Sequence, residues 1–251
     1  MSGLLRGQVA LVTGGAGGIG SGICEALAAE GATVLVGWHG SQQAAQALVA
    51  RLPNASAGHQ AVRVPVTDTP ALAALASTLA QSPGRLDILV NCHGTTRFVP
   101  AQDLDALDDE LADRVLTTHL RGSFATARAF RALLDASGQG LIVNISSIAA
   151  ELGVGSNIIY CAAKAGVNSL TRSLALALAP AIRVVALSPG LVETEAAQSF
   201  DPAFKATHVQ RTPLRRLVTP IDMGRSVVAL ATHMTAVTGV VIPVDAGRSL
   251  S

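Results

Sequence analysis

At 251 residues the chain can bury roughly three quarters of its unfolded surface, so neither a disulfide nor a metal is needed for stability. Hydrophobic residues make up 49% and charged ones only 14%, a balance that suits buried parallel strands and tightly packed helices. No uncharged apolar stretch reaches the ~18 residues of a membrane span, and the net charge of +1 shows no basic stripe, so neither membrane nor nucleic acid is expected as a partner.

Residues 8–12 are an apolar run ending in a glycine cluster, which predicts a first strand. Residues 21–30 then predict a helix, with Ile23, Leu27 and Glu30 at helical spacing and Gly31 as its stop. A strand at 33–36, a helix at 41–52 and a strand at 61–66 follow, then a helix at 69–80 opened by Asp68 or Thr69. Strands at 86–90 and 140–145 flank a long helical region; a helix at 157–178, a strand at 182–187, a helix at 220–231 and a strand at 239–244 complete the series. Segment 191–216 lacks clear periodicity and is expected to be a mobile lid. There is no repeat and no linker, so residues 1–251 are read as one domain. Apolar strands alternating with helices predict an α/β fold: a Rossmann-like, doubly wound parallel sheet of about seven strands, flanked by helices on both faces.

The three cysteines, Cys24, Cys92 and Cys161, stand singly as small packing residues, with Cys161 directly after Tyr160. The six histidines show no metal-ligand spacing, so no metal is expected. Residues 1–7 lack the apolar core of a signal peptide, which leaves a cytoplasmic location as the expectation.

Between the first strand and first helix lies Thr13-Gly14-Gly15-Ala16-Gly17-Gly18-Ile19-Gly20. Glycines there let the backbone approach a pyrophosphate, and the helix N-terminus favours its charge. Further on stand Asn91-Cys92-His93-Gly94 after the fourth strand, Asn144-Ile145-Ser146-Ser147 at the end of the fifth, and Tyr160-Cys161-Ala162-Ala163-Lys164. Pro189-Gly190 with Thr194, Thr238-Gly239 and Val244-Asp245-Ala246-Gly247 close the set. In this order the motifs resemble those of the short-chain dehydrogenases/reductases, among them 3-oxoacyl carrier-protein reductase-like members, along nearly the whole chain.

The resemblance implies an NAD(P)(H)-dependent oxidoreductase, an alcohol dehydrogenase or carbonyl reductase. Its cofactor would lie against Gly14, Gly17, Gly18, Ile19, Gly20, Val66, Asn91, Gly94, Tyr160, Lys164, Pro189, Gly190, Val192 and Thr194. Tyr160 and Lys164 are four apart on a predicted helix and share a face. A nearby ammonium favours a phenolate, so the tyrosine pKa is expected to fall from ~10, fitting Tyr160 for general acid–base work. Ser147, thirteen residues earlier, is expected to hold the substrate oxygen; Ser146 is the alternative that the spacing disfavours. Lys164 would also bond the nicotinamide ribose.

Departures from the pattern are equally informative. His119, in His119-Leu120-Arg121-Gly122, stands where the family has a fourth catalytic residue, an asparagine that supports a water chain to the lysine. A histidine there could bridge the same water, or titrate and move the pH optimum. His93 replaces the alanine of N-x-A-G, Pro65 replaces an aspartate that would hold adenine, and Val185 replaces a common asparagine. A cofactor-binding sensor with little turnover is the alternative these changes sustain.

The tip of the second strand, Gly37-Trp38-His39-Gly40-Ser41, carries no acid to select NAD(H). Trp38 could stack on adenine, and His39 and Ser41 could bond a 2′-phosphate, so NADP(H) is expected over NAD(H). The substrate, a small ketone or secondary alcohol with hydrocarbon bulk, should meet Thr95, Arg97, Ile148 and Leu152. Arg97 could hold a carboxylate, although a solvated surface arginine is the plainer role. Arg121, Arg128 and Arg131 make only a weak patch for an acidic carrier protein. By resemblance, helices 119–134 and 157–178 would build a homotetramer or homodimer.

Overall fold

The computed structural model describes residues 3–251. The first half runs β1 (Val9–Thr13), α1 (Gly18–Ala29), β2 (Thr33–Trp38), α2 (Gln42–Arg51), β3 (Gln60–Arg63) and α3 (Thr69–Gln81). The second opens with β4 (Ile88–Asn91), α4 (Asp109–Leu116), a π-helical turn (Thr117–Arg121) and α5 (Gly122–Ala136). Next come β5 (Gly140–Ile145), α6 (Ala149–Leu152), α7 (Ile158–Leu178) and β6 (Ile182–Pro189). Finally α8 (Glu195–Gln198), α9 (Pro202–Gln210), α10 (Pro220–Thr232) and β7 (Val241–Val244) complete the chain.

The strands form one sheet in the order β3-β2-β1-β4-β5-β6-β7, every pairing parallel. Strands β1, β4 and β5 are buried along their whole length. Successive residues of one strand serve opposite layers: Ala10 and Val12 pack with α1 and α10, Val9 and Leu11 with α3 and α5. That two-sided burial is why these strands read as continuous apolar runs rather than alternating ones. Val185 joins the first layer as an apolar packing residue.

Caps set the helix starts. Asp68, not Thr69, caps α3, its carboxylate accepting from the Ala71 amide at 3.1 Å. Thr219 and Asp222 form a reciprocal capping box on α10. Helices α1 and α10 cross glycine to glycine: a Cβ on Gly22 would lie 2.4 Å from the Pro220 backbone, and one on Gly224 would lie 2.4 Å from the Gly22 carbonyl. The segment expected as a lid is not featureless, since it folds α8 and α9. The helix expected from residue 119 instead begins at Gly122, because 117–121 are wound as a π turn. Among the described residues, no helix is long and apolar enough to cross a membrane, and no cluster of three acids, histidines or cysteines could hold a metal.

Strand order reverses between β1 and β4, where β1 feeds back to β2 and β4 feeds forward to β5. The crevice beyond their carboxyl ends is where open α/β sheets receive ligands.

Candidate active site

Asn157 opens α7, its side-chain oxygen accepting the Tyr160 amide at 2.7 Å. Its amide nitrogen donates to the Arg97 carbonyl (2.9 Å) and Thr96 Oγ1 (3.2 Å), so the helix start is tied to the loop after β4. One turn along, the buried Lys164 Nζ donates to the Ile145 carbonyl at 2.7 Å and lies 5.7 Å from the centre of the Tyr160 ring. Ser147, just beyond β5, accepts the Ala149 amide at 3.2 Å and lies close enough to the Tyr160 phenol to favour its ionised form. Ser146 turns the other way, onto Asn168 Oδ1 at 2.6 Å. Ser147, Tyr160, Lys164 and His119 therefore line one cavity of about 460 Å³, whose far wall is the Gly14–Gly20 turn.

Burial dominates the electrostatics of this cavity. It pushes the Tyr160 phenol up, against the lowering expected from the neighbouring ammonium; the Ser147 side chain works in the lowering direction. Burial also brings Lys164 down to about 8. His119 is held at about 3 by burial and by Lys164, so it stays neutral and cannot supply the titration proposed from sequence. Its ring stands edge-on to Tyr160, with centroids 5.4 Å apart. Its Nε2 is 2.8 Å from the Thr95 carbonyl, which can only accept, and 3.3 Å from the Thr95 amide; the shorter contact puts the hydrogen on Nε2. Nδ1 is then a buried lone pair without a partner.

The glycine turn has the shape of an anion cradle. Gly14 takes a positive φ of 63°, and a Cβ on Gly20 would come within 2.3 Å of the Gly14 carbonyl. Gly17 caps α1 without any side-chain hydrogen bond, and the first turn carries no acid, so its N–H groups face the cavity uncompensated. Thr194, at the start of α8, rests on Gly18. A second cavity of about 600 Å³ shares Gly14, His93, Gly94 and Thr95 with the first, and adds Trp38, His39 and Val66. Trp38 Nε1 is buried and unpartnered. The lining fits a dinucleotide: amides for the pyrophosphate, an apolar slot walled by Trp38 and Val66 beyond it, and Lys164 at the other end.

Pro189, Gly190, Val192, Ile19 and Thr95 also line the first cavity. Some sequence-derived sites fall elsewhere. Asn91 is buried, its amide donating to Asn144 Oδ1 (2.9 Å) and its oxygen accepting from Thr126 (2.7 Å), and it lines neither cavity. Arg97 turns outward onto the Ala106 carbonyl (2.8 Å) and Asp108 (3.2 Å) and lines neither cavity. Ser41, Ile148 and Leu152 line neither cavity. Leu191, Ala197 and Phe200 line the first cavity from the segment 191–216 that was expected to close over the site. Sequence reasoning missed Cys92 as a lining residue, having read it as a packing residue; only its nearness to Gly94 in the chain could have suggested it.

A family model described as enoyl-(acyl carrier protein) reductase matches residues 14–249. A protein of Streptomyces violaceoruber, named as a ketoacyl reductase of the granaticin polyketide synthase, is 40% identical over 244 residues, covering 96% of each chain. Among solved structures, a short-chain dehydrogenase/reductase from Burkholderia xenovorans superposes with a TM-score of 0.88 at 34% identity, covering 97% of this chain and 98% of that one. A gluconate 5-dehydrogenase from Burkholderia cenocepacia J2315, solved with NADP and tartrate, gives 0.90 at 29% identity, covering 100% of this chain and 98% of that one.

Proposed function

Because the chain belongs to the short-chain dehydrogenase/reductase family, and so to its oxidoreductases, we propose that it interconverts a ketone and a secondary alcohol with NADP(H). The observation that carries this is the convergence of Ser147, Tyr160 and Lys164 on one cavity walled by the glycine turn. A bound nicotinamide would supply the hydride in reduction and receive it in oxidation. Everything else falls to the chain. Ser147 Oγ donates to the substrate oxygen and keeps it beside the phenol. Tyr160 gives its proton to that oxygen in reduction and takes one from the hydroxyl in oxidation. Burial favours a neutral phenol, the form that donates. Lys164, brought down to about 8, is the group from which the phenol is reprotonated. The unpartnered Nδ1 of His119 is the acceptor left for the water that the asparagine it replaces would support.

NADP(H) is favoured by the acid-free tip of β2, and Trp38 and His39 line the adenosine end. Leu176 (84% exposed on α7) and Phe124 on α5 give these helices an apolar outer face that a second copy would cover, so a homodimer or homotetramer is proposed, to be read from mass by light scattering. Three unpaired cysteines suit a reducing, cytoplasmic setting.

The test has two arms. Titration with NADPH and NADH, followed by nicotinamide fluorescence, should show tighter binding of NADPH; a strong preference for NADH would overturn the cofactor choice. Tyr160→Phe should lower kcat on a ketone panel by about 10²- to 10⁴-fold, the usual weight of general acid–base catalysis, while dinucleotide binding holds. Binding without any turnover, in wild type and variant alike, would favour the sensor alternative.

A further inference from the structure

His93 has no part in the mechanism above, yet its ring is hydrogen-bonded at both nitrogens. Nε2 lies 3.1 Å from the Thr118 carbonyl, which can only accept, so Nε2 is the protonated nitrogen. Nδ1 then accepts from the Thr13 hydroxyl at 2.7 Å. Thr13 Oγ1 in turn accepts the amides of Cys92 and His93, at 3.1 and 3.3 Å, so the ring is anchored to the end of β1 and to its own turn.

The bond to Thr118 meets a reciprocal one. Residue 93 holds the carbonyl of residue 118 on the π turn, and His119, the next residue of that turn, holds the carbonyl of Thr95 on the β4 loop. Two imidazoles thus clamp the same two segments in opposite directions. Each fits only over a glycine: a Cβ on Gly94 would lie 2.5 Å from His119 Cε1, and one on Gly122 would lie 3.0 Å from His93 Nε2. The π turn itself frees carbonyls to side-chain donors, with His93 taking that of Thr118 and Ser123 Oγ taking that of His119 at 2.7 Å.

We infer that His93 is a positioning residue for Tyr160, acting through the π turn: by holding the Thr118 carbonyl it fixes the turn that sets the His119 ring edge-on against the phenol. The inference concerns the site proposed above, and its catalytic consequence rests on Tyr160 being the acid/base. The geometric core does not.

Tyr160 is the sole tyrosine in the chain, so ¹³C placed at the tyrosine ring Cζ gives a single, assignable NMR signal without any turnover. In the protein as it stands, His93→Leu fills the ring's space but removes its bonds, whereas His93→Gln keeps a donor for the carbonyl. The Tyr160 ring signal should move in His93→Leu toward its position in His119→Leu, and stay at its wild-type position in His93→Gln. Where His93→Leu does not fold, Gly122→Ala sets a methyl against Nε2 and should move the signal in the same direction. An unmoved signal, or an equal shift in the Leu and Gln variants, overturns the inference. On a working substrate, kcat of His93→Leu should fall by at least about tenfold and recover in His93→Gln, as a small misplacement of a catalytic group requires. A moved signal with no turnover in any form, wild type included, would preserve the clamp and remove only the proposed reaction.

Discussion

His93 and His119 line one cavity with Lys164, and desolvation is the first cause of every one of their shifts. Both imidazoles are held at about 3, against an ordinary value near 6.5. The unfolded chain therefore gains protons between pH 6.5 and 3 while the folded one does not. Their contribution to stability is complete above pH 6.5 and drains away as the pH falls toward 3. The double variant His93→Gln/His119→Asn, which cannot titrate there, should lose less stability than wild type between pH 7 and pH 5. Urea midpoints at the two pH values read this directly; parallel losses would mean that the rings are not held neutral. The His119 position was legible from its place in a four-residue pattern. Its chemistry was not, because neutrality follows from burial beneath Thr95 and Lys164, which no local pattern reveals. His93 was visible only as a departure, since Thr13 and Thr118, its partners, lie 80 and 25 positions away in sequence.

Elements explain why the motif glycines cannot be exchanged for one another. A methyl on Gly20 would meet a backbone oxygen at 2.3 Å, which cannot retreat without opening the turn. A methyl on Gly18 would meet the Thr194 side chain at 2.5 Å, and that chain can swing aside with α8. Gly20→Ala should thus cost about 1–3 kcal/mol of stability, the range for overpacking, and lose dinucleotide binding with it. Gly18→Ala should keep its urea midpoint and weaken binding alone. Equal loss of stability in both would show that Thr194 is as fixed as the backbone. At this scale the sequence was most readable: the run at 140–145 is β5 to the residue, and the helix expected at 157–178 is α7 after its Asn157 cap. The π turn was not readable, because hydrophobic spacing reports a 3.6-residue period and a single wider turn barely perturbs it. Strand β3 ends at Arg63, three residues before the expected limit, because the apolar run on to Val66 leaves the ladder to wall the second cavity.

Across the whole molecule, the cleft is assembled from segments far apart in the chain. Leu11 pairs with Leu89 in the central strands, α7 with Tyr160 and Lys164 arrives about seventy residues later, and Thr194 closes onto Gly18 from beyond β6. No early fragment contains the cradle, its floor and its cover together. A dinucleotide that needs all three recognises only the finished protein. Its stabilisation should then reside in the unfolding limb of the chevron: added NADPH should slow unfolding in urea and leave the refolding rate where it was. Stopped-flow mixing with and without the dinucleotide separates the limbs, and faster refolding would place the cleft in the transition state. On the expected outcome, the reversal of strand order between β1 and β4, which opens the crevice, would also make the proposed dinucleotide a brake on loss of the fold, with no influence on how quickly it is gained.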